Sequence, residues 1–373
     1  MSPKVYNWQL KSDMIYKYEE SRPKKQIAWV FDTNKCIACQ TCTMACKTTW
    51  TCGKGEEYMF WNNVESRPYG FYPLGWDVKL LEKLGKQEWD DDKYAGQTIF
   101  GSGEEGEELN GITPEDRDWA HPNIGEDEVT GQIEDGAYFG LPHMPWMFYL
   151  ARICNHCTYP GCLAACPRKE IYKRKEDGIV LIDQERCRGY RKCVKGCPYK
   201  KAMFNPMTGR SEKCIACYPA VEKGIKTRCV ENCIGKIRIV SWLNTPDKAR
   251  EDSPIDYLVH IKKVALPLYP QFGTEPNVYY IPPIHVDVKY LKQMFGPGVE
   301  NAIKTYRGNG ETLVGLIKLF GSTDRIIETF RVENGNAIGF AGGEEVVRVP
   351  VHEPVVIREF HDEKLDVFRH SVT

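Results

Sequence analysis

The chain has 373 residues, enough for two or three domains and a sizeable core. Apolar residues make up 42% and charged residues 27%, ordinary globular usage that excludes a largely disordered chain. With 50 basic against 51 acidic residues and no apolar run near the roughly 18 that a spanning helix needs, neither a basic nucleic-acid binder nor a membrane-spanning protein is expected.

The start Met1-Ser2-Pro3-Lys4 has neither a twin arginine nor an apolar leader, so no export signal of its own is expected. Ile27-Ala28-Trp29-Val30-Phe31 reads as a strand running into Cys36. From Lys86 to Asp135 sixteen acidic residues face only Lys86, Lys93 and Arg117, and glycine is frequent, which predicts a loop-dominated acidic insertion. Ile171-Tyr172-Lys173 and Ile179-Val180-Leu181-Ile182 flank Asp177-Gly178, a hairpin signal. Ile237-Arg238-Ile239-Val240 is a further strand. Val264 to Pro270 holds too much proline for regular structure, whereas Ala302 to Phe320 suits one or two helices broken near Gly308-Asn309-Gly310. Glu345 to Val349 and Val355-Val356-Ile357 read as β structure.

Sixteen cysteines are the departure from ordinary composition, and fifteen fall into four short groups. The first, Cys36, Cys39, Cys42 and Cys46, spells C-x2-C-x2-C-x3-C, the run of two-cluster bacterial ferredoxins without its following proline. Cys154, Cys157, Cys162 and Cys166 follow as C-x2-C-x4-C-x3-C-P. In the third group Cys187, Cys193 and Cys197 keep the register of the first if Tyr190 stands where a thiolate is missing. Cys214, Cys217, Cys229 and Cys233 repeat the idea around an inserted loop. Thiols packed this closely cannot all find local disulfide partners, while an iron–sulfur centre gathers several from one loop. Structural zinc accounts for C-x2-C pairs but not for triplets at C-x2-C-x2-C. Between residues 150 and 240 twenty Lys and Arg face eight Asp and Glu, a basic shell suited to anionic clusters. His156 is expected to pack beside its group without being a ligand, and Cys52 to be a spare thiol. No catalytic triad, phosphate loop or dinucleotide fingerprint is present, so no active site is expected.

These groups resemble the β subunits of molybdopterin oxidoreductases of the respiratory nitrate reductase and nitrite oxidoreductase type. The likeness is carried by Cys36-Ile37-Ala38-Cys39-Gln40-Thr41-Cys42, by Tyr58 to Glu65, by the run from Arg152 to Pro198, by Glu212 to Pro219, by Ala265 to Pro270, by Gly273 to Asn277 and by Tyr279 to Pro283. The opening Val5-Tyr6-Asn7-Trp8-Gln9-Leu10 and the C-terminal blocks look most like nitrite oxidoreductase. Chlorate, perchlorate and selenate reductases, dimethylsulfide dehydrogenase and ethylbenzene dehydrogenase have β subunits of the same type. The acidic stretch from about 82 to 136 matches no family motif.

The resemblance implies an α+β fold of two ferredoxin modules with a long insertion and a C-terminal docking extension. The modules are expected over 1–52 with 205–240 and over 151–204, the insertion over 53–150 and the extension over 241–373. It also implies a molybdopterin-containing catalytic α subunit, usually a haem-containing γ subunit, and a single-electron relay between them. Relatives without a signal are exported with their α subunit, so the outer, periplasmic face of the membrane is expected, with the cytoplasmic face as the alternative. A stand-alone polyferredoxin shuttle is the rival reading. In two-cluster ferredoxins the fourth cysteine of a run ligates the other cluster. Three [4Fe–4S] clusters are therefore expected on Cys36, Cys39, Cys42 and Cys233, on Cys46, Cys214, Cys217 and Cys229, and on Cys154, Cys157, Cys162 and Cys197. Cys166, Cys187 and Cys193 are left for one [3Fe–4S] cluster, with Tyr190 at the missing corner.

Overall fold

The computed structural model describes residues 4–16, 18, 22–68, 76–101, 146–352 and 359–370. The strand Gln26–Asp32 is apolar from Ile27 to Phe31 and buried from Ile27 on, as a central strand covered on both faces must be. Its alternation feeds two cores: Ile27, Trp29 and Phe31 enter the one that also takes cysteines, while Ala28 and Val30 enter the other. The four-stranded sheet runs Arg238–Leu243, Gln26–Asp32, Val278–Ile281, Leu266–Pro267. Arg238–Leu243 pairs antiparallel with the central strand and Val278–Ile281 pairs parallel with it. The stretch after residue 241 thus supplies a strand to the middle of the molecule.

The proline-rich stretch expected to lack regular structure does form a strand: Leu266 and Pro267 pair with Tyr280 and Tyr279. It is the edge of the sheet, where a proline without an N–H removes no ladder bond. The helices Val299–Gly308 and Gly310–Gly321 break where expected. They cover the second core with a three-stranded sheet, Thr329–Glu333, Asn336–Ala341 and Glu344–Pro350. The strand expected at Val355-Val356-Ile357 lies outside the described residues, as does most of the acidic stretch.

The two ends of the insertion meet, because Asn63–Arg67 pairs antiparallel with Phe148–Arg152. A buried charge network fastens them. Glu65 lies between Arg67 and Arg152, with Arg152 Nε 2.7 Å from Glu65 Oε2, and Arg67 Nη1 reaches Asp77 Oδ2 at 2.5 Å. Asp77 also accepts from the Tyr269 hydroxyl, and Trp76 lies under both guanidinium groups, 4.5 Å from Arg152 and 5.4 Å from Arg67. Removing one member of such a network strands its partners in low dielectric. Glu65→Ala is expected to cost about 3–5 kcal/mol, read as a lower denaturation midpoint of the intact protein. Burial works to raise the Asp77 carboxyl, but Arg67 and the Tyr269 hydroxyl hold it below its usual range. Its stabilisation is therefore full above about pH 4 and fades as pH falls through the lower folded value. In an acid titration of stability, Asp77→Asn should lose that part of the pH dependence.

Candidate iron–sulfur centres

The four cysteine loops share one backbone solution. The residue just before the second ligand position has a positive φ in each: Ala38 at 52°, His156 at 40°, Gly189 at 65° and Ala216 at 55°. Such left-handed residues curl a short loop so that successive side chains converge on one point. Gly189 precedes Tyr190, so the backbone puts Tyr190 in the slot held by Cys39, Cys157 and Cys217 elsewhere. A second repeat follows the last thiol. Lys169, Lys200 and Lys236 each have φ near 55° and donate their N–H to the carbonyl of Cys166, Cys197 and Cys233. Strands then begin at Ile171, Ala202 and Arg238, each five residues after its cysteine. Only the first group departs: its helix runs on past Cys46, from Thr41 to Trp50.

Short helices carry the cysteines and pack in pairs. Thr41–Trp50 packs on Arg228–Glu231, and Gly161–Ala164 on Lys192–Gly196. Group one thereby meets group four, and group two meets group three. One cavity is lined by Cys46, Cys214, Cys217 and Cys229 together. Another is lined by Cys166, Cys187, Cys193 and Tyr190, a residue 61% exposed. Among the described residues no three His, Cys, Asp or Glu side chains close on a point as a single ion requires.

Burial and then neighbouring thiols push most of these cysteines up. Cys42 and Cys233 act on Cys36, and Cys229 and Cys217 act on Cys46. Cys154 and Cys197 act on both Cys157 and Cys162. Cys166 and Cys187 help to take Cys193 to about 11. Neighbour relations also run between these sets: Cys229 with Cys42, Cys214 with Cys154, and Cys193 with Cys197. Mutually repelling buried thiols become thiolates only around a strong positive charge, which iron supplies. Cys39 is the exception. It is exposed, and the Thr41 side chain and backbone hold it down.

The surroundings fit sulfur-rich anionic centres. Trp50 Nε1 donates to Cys217 Sγ at 3.1 Å, and backbone N–H groups of Glu170, Lys201, Ser211, Ala216 and Arg228 each donate to a cysteine sulfur at 3.4 Å. Trp61 Nε1 and Asn62 Nδ2, which line the four-thiol cavity, are buried donors without a protein partner. His156 accepts from the Val180 N–H through Nδ1 at 3.1 Å, so its proton sits on Nε2, a third unpartnered buried donor beside cysteines. Orphaned buried donors are rare in native proteins, and cluster sulfur is an acceptor for all three. Burial, with Lys213 adding to it, keeps His156 neutral, in line with a packing role.

Residues 145–242 match the family described as 4Fe-4S dicluster domain. The class is therefore a ferredoxin-type iron–sulfur protein of mixed α and β content. Over 312 residues the chain is 46% identical to selenate reductase subunit beta of Thauera selenatis, covering 76% of this chain and 91% of that one. Chlorate reductase subunit beta of Ideonella dechloratans gives 46% over 313 residues with the same shares, 76% and 91%. Respiratory nitrate reductase subunit beta of Haloferax mediterranei gives 43% over 332 residues, 78% and 90%. The chain belongs to the family of iron–sulfur β subunits of the nitrate, selenate and chlorate reductase type, which relay electrons in oxidoreductase complexes. Among the described residues no helix is long and apolar enough to cross a membrane.

Arg238, Lys213 and Trp50 escaped the sequence reading. Arg238 is 1% exposed, and although burial opposes its charge, Cys42, Cys229, Cys233 and Cys36 hold the guanidinium above its ordinary value. Its only sequence signal is the fixed distance after Cys233. The helix pair of groups two and three depends on glycine. A Cβ on Gly196 would lie 2.4 Å from Ala165 Cβ, and one on Gly161 2.7 Å from the Gly196 carbonyl. Gly196→Ala should part the helices bearing Cys162 and Cys193, costing roughly 1–3 kcal/mol. Iron and sulfide analysis should find the variant short of iron, while Gly308→Ala, where nothing lies within 4 Å, keeps its full content.

Proposed function

We propose that this chain passes single electrons along a row of four centres, three [4Fe–4S] and one [3Fe–4S], between a molybdopterin-containing catalytic subunit and a haem-containing subunit. The observation that carries the proposal is the cavity shared by Cys46, Cys214, Cys217 and Cys229, which joins thiols of the first and last cysteine groups as two-cluster ferredoxins do. On this reading Cys36, Cys39, Cys42 and Cys233 hold one cubane, Cys46, Cys214, Cys217 and Cys229 the next, and Cys154, Cys157, Cys162 and Cys197 the third. Cys166, Cys187 and Cys193 hold the [3Fe–4S] centre, with Tyr190 at the open corner. The electrostatic influence of Cys42 on Cys229, of Cys154 on Cys214 and of Cys197 on Cys193 supports this order along the row.

Two ferredoxin modules, 1–52 with 205–240 and 151–204, carry the centres in this reading. Parts of 53–150 and 241–373 serve subunit contact. The clusters accept and release single electrons. The protein holds them apart from water, supplies N–H donors to their sulfurs and so sets their potentials. The substrate belongs to the catalytic partner, and nitrite and nitrate are our choice on the resemblance of the opening and C-terminal blocks. The complex is placed on the outer face of the membrane, exported with the catalytic subunit. Deleting that subunit's signal should strand both inside.

Purification from the native source should yield this chain with a large molybdenum subunit, and the complex should oxidise nitrite with an artificial acceptor. A monomer free of molybdenum would favour the polyferredoxin shuttle. Turnover of another substrate without nitrite or nitrate activity would overturn the substrate choice. Electron paramagnetic resonance of the oxidised complex should show the [3Fe–4S] signal, since oxidised [4Fe–4S] centres are silent. Tyr190→Cys should abolish that signal by supplying the missing thiolate, and a fully iron-loaded wild type without it would refute the assignment.

A further inference from the structure

The electron row has to cross from one cysteine module to the other where Cys154 and Cys214 adjoin, and the side chain standing there is a lysine. We infer that Lys213 is the potential-setting and positioning cation of this crossing, one buried ammonium shared by the centres on both sides. The inference rests on the ligand sets proposed above.

The strand Arg210–Lys213 pairs Lys213 with Ala202, and its alternation turns Ser211 and Lys213 inward while Arg210 and Glu212 are less buried. Lys213 is 3% exposed. Burying an ammonium costs several kcal/mol unless its donors are met and its charge is matched. Here Nζ donates to the Val180 carbonyl, to the Cys214 carbonyl at 2.9 Å and to Cys154 Sγ at 3.6 Å. Three donors meet three acceptors, as an ammonium requires. One acceptor is a ligand sulfur of one module, and another is the peptide oxygen of a ligand in the other. The charge is felt on both sides, since Lys213 opposes the rise that burial and neighbouring thiols impose on Cys162 and Cys214. The adjoining ring, His156, carries its single proton on Nε2 and adds no second cation.

Reduction places one extra negative charge on whichever centre holds the electron, and a cation in contact favours that state. Because Lys213 touches both ligand sets, an electron leaving one side for the other keeps the attraction of the same ammonium. No proton needs to move with it. Arg238 stands in a similar relation to Cys36, Cys42 and Cys233 on one side and Cys229 on the other.

The test is a redox titration of the assembled complex followed by electron paramagnetic resonance. In Lys213→Met two of the four centres are expected to become at least tenfold harder to reduce, 59 mV for a one-electron couple, with the other two unmoved. Lys213→Arg should bring both back towards wild type. Lys213→Gln, which keeps a donor but no charge, should show the same loss as Lys213→Met and carries the test if the methionine variant sheds iron. Potentials unmoved at full iron content, or all four shifted alike, would overturn the role. The iron content and signals of the wild-type complex test the ligand sets separately, so unmoved potentials in a correctly loaded variant count against Lys213 alone.

Discussion

Fifteen thiols gathered in four loops cannot ionise together without compensating charge, and that constraint governs the rest of the structure. Burial and mutual repulsion both oppose the thiolate, as the upward shifts of Cys36, Cys46, Cys157, Cys162 and Cys214 record. Iron answers most of this. The chain supplies the remainder through donors aimed at sulfur and through buried basic side chains, among them Arg238 and Lys213. The basic excess between residues 150 and 240 is thus partly an internal requirement of the cysteines and not a surface for another polyanion.

The central sheet exists to hold these loops. Gln26–Asp32 leads into the first cysteine loop, and Arg238–Leu243 leaves the fourth, so their antiparallel pairing brings opposite ends of the cysteine-bearing sequence together. Val278–Ile281 closes the other side in parallel register, and Asn277 behind it donates to the His156 carbonyl at 2.9 Å. Residues after 241 that hold no cysteine therefore brace the second loop from behind. This accounts for fully buried Tyr279 and Tyr280 in a segment without cysteines.

Local features were legible in the sequence because they follow from local chemistry. The strand before Cys36, the hairpin around Asp177-Gly178 and the helix break at Gly308-Asn309-Gly310 each rest on a few neighbouring residues. The cysteine register was equally readable, since the loop conformation at Gly189 matches that at Ala38, His156 and Ala216. Nonlocal features were not. Nothing near Leu266-Pro267 shows that Tyr279 and Tyr280 will offer a sheet edge. Nothing in Glu65, Arg67, Asp77 and Arg152 taken singly shows that four charges will be buried against Trp76. Lys213 and Arg238 read as ordinary basic residues until the strands turn them inward.

Exposure along the proposed row changes in a way that suits a relay. At one end Cys39 is exposed, as are Ile37 and Ile234, next in sequence to Cys36 and Cys233, at 72% and 64%; at the other the exposed Tyr190 walls the cavity of Cys166, Cys187 and Cys193. The middle sets, by contrast, are made largely of buried cysteines and carry the unpartnered donors of Trp61, Asn62 and His156. Water near a cluster stabilises its more charged state and gives reactive oxidants access, so interior centres need protein dipoles in place of solvent. The end centres need the opposite, a thin wall across which an electron can pass to another subunit. A chain that only stored clusters for stability would have no use for thin walls at both ends. Burial in the middle and openness at the ends together are the arrangement that electron transit demands.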